Sequence, residues 1–231
     1  MLRRLLLIAV IAGAAAGLVA TAFQAAKLWP LIAAAERYEA AAPAEGGAAH
    51  GHDDAVHDHG EAWQPADGAE RMAFTLLFNI LTGFGFALLL NGALALRAAV
   101  GDARPLDGRT GLLWGLAGFG CFALAPALGL PPELPGMVAA DLAGRQVWWI
   151  ATALASAAGL AGLAFARPVW AKALGLAFLV IPHVIGAPRP EGAGVVPAEL
   201  AAEFVVASLL AAAMFWLVLG GVSGWLHRRM A

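Results

Sequence analysis

The chain has 231 residues, of which 61% are hydrophobic and only 13% charged, about half the charged content of soluble domains. That balance excludes a soluble globule with a polar skin and points to an integral membrane protein. With a formal charge of −2 and no basic tract, nucleic acid is not an expected partner. A single cysteine, Cys121, excludes an intrachain disulfide and any zinc site needing two thiolates.

A spanning helix needs about 20 predominantly apolar residues. Five stretches qualify, 5–26, 72–96, 110–130, 146–166 and 204–226, and a weaker sixth lies at 171–187. The expected fold is therefore all-α, one polytopic transmembrane helix bundle of five or six spans. The first stretch follows Arg3-Arg4 and also resembles a secretory signal peptide. Its apolar run exceeds the roughly 7–15 residues of a signal core, so it is expected to be retained as a span.

Gln24 is the polar residue on the outer part of this first helix, and Lys27, Trp29 and Pro30 follow. Glu36 and Glu39, three residues apart, share a helical face. They could form an acidic vestibule that concentrates cations, or simply a solvated interfacial end. Residues 39–69 then lose all apolar periodicity and read as a flexible loop. That loop carries His50, His52, His57 and His59, four of the chain's six histidines, interleaved with Asp53, Asp54 and Asp58. Imidazole and carboxylate both suit borderline divalent metals, so the loop is a candidate metal collector. Its flexibility argues against it as the selective step, because ordering entropy weakens the site. The alternative is a solvated acidic linker.

The second stretch contains Asn79 and Asn91, twelve positions apart. At 100° per residue they do not share one narrow stripe. Asn79 could line a path or bridge helices through its amide. After the third stretch, Pro131, Pro132 and Pro135 stiffen residues 130–136 and hold Glu133 in a defined position, with Asp141 close by in sequence. In the weak sixth stretch Pro182 and Gly186 flank His183. An ionisable group within a span usually faces a protein interior or a water-filled cavity. A helix broken near a proline, exposing carbonyls beside a side-chain ligand, is a recurring form of ion site. His183 is therefore the preferred intramembrane ligand, against a histidine that merely hydrogen-bonds a neighbouring backbone. Glu203 begins the last stretch. Trp148, Trp149 and Trp225 read as interfacial anchors. Gly13/Gly17, Gly111/Gly115 and Gly220/Gly224 have the small-xxx-small spacing of close helix packing in lipid.

With six spans and the N-terminus inside, the inner segments hold Arg3, Arg4, Arg97, Arg104, Arg109, Arg167, Lys172, Arg228 and Arg229 against only Asp102 and Asp107. The positive-inside rule then predicts N-in and C-in, with the histidine loop outside. Glu133, Asp141, Glu203 and His183 emerge on that same outer side, as a cation entrance requires. No phosphate loop, His-Glu-x-x-His, Gly-x-Ser-x-Gly or Cys-x-x-Cys-His motif is present, so enzymatic chemistry is not expected.

Four segments together resemble the CbtA family: Gln24…Pro30…Glu36-Arg37-Tyr38-Glu39; Leu130-Pro131-Pro132-Glu133-Leu134-Pro135-Gly136; Asp141…Arg145-Gln146-Val147-Trp148-Trp149; and Pro182-His183-Val184-Ile185-Gly186-Ala187-Pro188. The resemblance covers nearly the whole chain. It implies a subunit of a cobalt uptake transporter in the bacterial cytoplasmic (inner) membrane, with five spans and a small His-containing membrane partner, CbtB. Cobalt is then cargo rather than a resident cofactor. The residues alone do not separate cobalt from nickel or zinc. A non-conducting scaffold or metal-sensing subunit is the alternative function, and self-association within the bilayer is a further expectation.

Overall fold

The computed structural model describes residues 2–41, 65, 68–99, 106–192 and 194–230, and all regular structure among them is helical. Six helices follow one another: α1 (Leu2–Ala41), α2 (Ala69–Ala99), α3 (Gly108–Ala127), α4 (Leu142–Phe165), α5 (Val169–Ile185) and α6 (Ala198–Arg229). All but α5 are long and apolar enough to cross a membrane. At 1.5 Å per residue the 17 residues of α5 reach about 26 Å, short of the roughly 30 Å hydrocarbon core.

Helix starts follow from local chemistry. Asp107 caps α3 by accepting from the Thr110 amide at 2.8 Å, and Asp141 caps α4 by accepting from Gly144 at 2.8 Å. Pro168 and Pro197 precede α5 and α6, where a fixed φ and a missing N–H cost the first turn nothing. The turn at 166–168 is too short for anything but an antiparallel α4–α5 hairpin. Gly186, at φ +86°, ends α5 in a conformation that side-chain-bearing residues rarely adopt.

The end of the first helix differs most from the sequence expectation. The first helix does not stop near residue 26 but runs on to Ala41, carrying Glu36 and Glu39 on helical backbone. It passes Pro30 by widening into a π-helical turn at Gln24–Leu28. The same occurs in α3, where a π-turn at Gly120–Leu124 precedes Pro126. A proline cannot donate to the carbonyl four residues back and its ring collides with it. Those carbonyls belong to Ala26 and Phe122, each at the middle of its π-turn, so the wider turn absorbs the collision and the helix continues. In α5, by contrast, the helix stays regular through Pro182 up to Ile185.

Helices α1, α2, α3 and α6 form the core. Ala9, Ala12, Ala16 and Ala20 of α1 bury against Ala87, Leu90 and Leu94 of α2 and Phe215, Trp216 and Leu219 of α6. The glycine pairs expected from sequence all sit at helix crossings. Gly13 and Gly17 meet the backbone of Gly83, Phe84 and Ile80, and Gly111 and Gly115 of α3 meet Gly220 and Gly224 of α6. A second cluster at the other end joins Leu28 and Ala35 of α1 to Leu134, Phe204, Ala207 and Ala211. Among the described residues helix α5 packs chiefly on α4 and leaves Trp170, Leu174, Leu176, Val180 and Val184 exposed.

Candidate functional site

The helix order places the C-terminal ends of α1, α3 and α5 beside the N-terminal ends of α2, α4 and α6. This end carries every candidate that lies within the described residues: Gln24, Glu36, Glu39, Glu133, Asp141, His183 and Glu203. His50, His52, Asp53, Asp54, His57, Asp58 and His59 lie outside the described residues. The opposite end carries Arg3, Arg4, Arg97, His227, Arg228 and Arg229.

Within the acidic end the candidates fall into separate groups. Glu133 is held by Arg145, with Nη2 2.8 Å from Oε2 and both side chains largely covered. Asp141 spends one carboxylate oxygen on the α4 cap. His183 is half-buried in the last turn of α5, its ring edge-on to Trp148 at 6.0 Å between centroids. Trp148 in turn donates its Nε1–H to the Pro182 carbonyl at 3.3 Å. This aromatic contact fixes the face of α5 that carries His183. Glu203 is exposed on the first turns of α6. Glu36 lies 3.6 Å from Arg71 across the α1–α2 seam, both about half exposed. Glu39 backs the Leu134–Met137 turn, close to Gly136. Among the described residues, no three His, Cys, Asp or Glu side chains come together as a metal site.

The structure adds partners that single-helix periodicity could not supply. Asn79 and Asn91 are both used, but in different places. Asn79 donates from Nδ2 to Thr21 Oγ1 at 2.9 Å and to Gln24 Oε1 at 2.7 Å, joining α2 to the π-turn of α1. Thr21 passes its own proton to the Gly17 carbonyl at 2.8 Å. Asn91, fully buried, donates to Ala87 O and presents Oδ1 to His227 Nε2 at 2.7 Å. Because that amide oxygen can only accept, Nε2 of His227 carries the proton. Arg4 caps the same region by donating to the His227 carbonyl at 2.6 Å. His227 is thus a buried tie between α1, α2 and α6. The only advance signal was the polar identity of Asn79 and Asn91 within an apolar helix.

A family model described as a probable cobalt transporter subunit, CbtA, matches residues 2–228. No curated protein and no solved structure matches the chain.

Proposed function

This chain belongs to the CbtA family of probable cobalt transporter subunits, and from that premise we propose that it moves a divalent cation, cobalt, inward across the bacterial cytoplasmic membrane. The match over nearly the whole chain carries this reading. The proposed orientation is N-in and C-in, because the arginine-rich helix ends then face the cytoplasm. The loop around His50–His59 collects the aquated ion, and the acidic end formed by Glu36, Glu39, Glu133, Asp141 and Glu203 draws it to the bundle. His183 is the imidazole ligand on the way through. Unlike Glu36 and Glu133, which sit in ion pairs, and Asp141, which caps a helix, it is held only by the ring contact with Trp148. Glu133 contributes a ligand only after its ion pair with Arg145 opens. The chain works as one subunit beside a small CbtB-like membrane partner and has no catalytic role.

A second reading, a non-conducting scaffold or metal sensor, is favoured by one observation: no ready-made set of three ligands exists among the described residues. Uptake of radioactive cobalt by cells carrying the chain and its partner subunit separates the two. Deleting residues 45–60 is expected to raise the cobalt concentration for half-maximal uptake, while His183→Ala removes uptake at any concentration. Unchanged uptake in normally expressed His183→Ala overturns the role of His183. A wild type that moves no cobalt leaves the scaffold reading.

A further inference from the structure

The outer half of the α1–α2 seam carries a run of polar side chains. Along α2, Arg71, Thr75 and Asn79 recur every fourth residue and are each half-buried, while Leu77 and Phe78 between them are exposed. On a helix that spacing is one continuous stripe, and it faces α1. At its outer end a small pocket, lined by Trp29, Ile32, Glu36 and Arg71, opens between the two helices. Inward of Thr75, the stripe reaches Asn79 with Gln24 and Thr21. Directly below the Asn79 side chain the seam closes, where Gly17 lets α1 touch the backbone of Asn79 and Ile80 and, a turn further, Gly13 lets it touch that of Gly83 and Phe84. The polar column is open at the outside and shut by glycine packing below.

The hydrogen-bond accounting at the bottom of this column is incomplete in an informative way. Asn79 gives both Nδ2 protons away, to Thr21 and Gln24. That orients both amides: Asn79 Oδ1 and Gln24 Nε2 are left without a protein partner among the described residues, on side chains that are only half-buried. Beside them, Trp29 donates to the Gln24 carbonyl across the π-turn, and Pro30 has no N–H to offer the carbonyls of Ala25 or Ala26. Of the two amide oxygens, Gln24 Oε1 is taken by Asn79, which leaves Asn79 Oδ1 to accept from water.

We propose that the outer half of the α1–α2 seam is the ion's way into the bundle, and that Asn79 with Gln24 at the π-turn forms a neutral station for a hydrated divalent cation. Water bound to a divalent metal is a strong hydrogen-bond donor, and the station offers it an amide oxygen and freed backbone carbonyls as acceptors. Having no carboxylate, the station holds the ion weakly enough to release it, as conduction requires. Glu36, paired loosely with Arg71, marks the mouth, and Lys27 is exposed at the bulge. This inference rests on the transport reading but places the first intramembrane contact at α1–α2, apart from His183 on the α4–α5 hairpin. Passage beyond the station needs α1 and α2 to part at their glycines.

The test is cysteine accessibility in the full-length protein in membranes. Cys121, the only native cysteine and a buried one, is first replaced by alanine. Thr75→Cys and Asn79→Cys are then treated with a water-soluble, membrane-impermeant thiol reagent, with Leu77→Cys and Phe78→Cys as lipid-facing controls. The two seam positions are expected to react and the controls to stay inert. Cobalt at ten times its half-saturating concentration should slow reaction at Thr75→Cys about tenfold, and adding Gln24→Leu should abolish that protection. Seam positions as inert as Phe78→Cys would mean a dry helix contact and overturn the proposal. Reaction that cobalt does not slow, or protection that survives Gln24→Leu, overturns the station. Protection without any uptake by the wild type would instead overturn the transport reading and leave the station standing.

Discussion

Replacing Gly13 by alanine adds one methyl group at the tightest point of the α1–α2 crossing. A Cβ there would stand 2.5 Å from Phe84 N, 2.6 Å from Gly83 C and 2.7 Å from Phe84 Cα, about 0.9 Å short of ordinary contact. All three neighbours are backbone atoms, so no side chain can swing aside and the helices themselves must separate. A gap of that size forfeits about a quarter to a half of each contact's dispersion energy along the crossing. It also stretches the 2.7 and 2.9 Å bonds from Asn79 beyond hydrogen-bond range, at about 0.6 kcal/mol each in a membrane. With the roughly 1–3 kcal/mol typical of overpacking, Gly13→Ala should destabilise by about 2–4 kcal/mol. Gly85→Ala on the facing helix is the control, since nothing lies within 4 Å of its added methyl. There the gain in helix propensity should make the change neutral or stabilising by up to about 1 kcal/mol. Thermal unfolding of both variants in detergent or lipid measures the difference. Equal stability for the two would refute the close backbone packing of α1 on α2.

Neutralising the Glu133–Arg145 pair should have a modest effect. The side chains are 21% and 30% exposed, so solvent screening holds their coupling to about 1 kcal/mol. A double-mutant cycle with Glu133→Gln and Arg145→Gln reads it, and strict additivity would show that the pair contributes nothing. At the basic end, the Thr110 amide bonded to Asp107 holds that carboxyl below its usual value of 3.8. A depressed folded value means the cap stabilises α3 fully above 3.8 and loses this effect as pH falls through the lower folded value. Hydrogen exchange at the Thr110 amide should accordingly be slower in the wild type than in Asp107→Ala at neutral pH, with the gap closing in strong acid. A gap that persists there would assign the protection to something other than the charged cap.

Much of the fold was legible because apolar runs of membrane length are a one-dimensional property. The five strong spans and the weak one each became a helix. The glycine spacings marked the crossings, since only small residues let backbones meet in lipid. The bends were less legible. The first apolar stretch reads as ending near residue 26, yet α1 runs on and absorbs Pro30 in a π-turn, with Leu28 and Ala35 packed into one cluster with Phe204. Partnership was hidden as well. Asn79 and Asn91 look alike in sequence, but one faces the seam with Gln24 and the other the buried His227.

The sequence by itself determined that this is a helical membrane protein, where its spans lie and which chemistries its residues could offer. Hydrophobicity and residue type act locally, so both can be read without knowing the neighbours. Only the tertiary structure decided that Glu133 and Asp141 are already engaged, that His183 rests on Trp148, and that Gln24 meets Asn79. Those pairings join residues up to 55 positions apart, and they depend on how far two helices may approach and at what rotation.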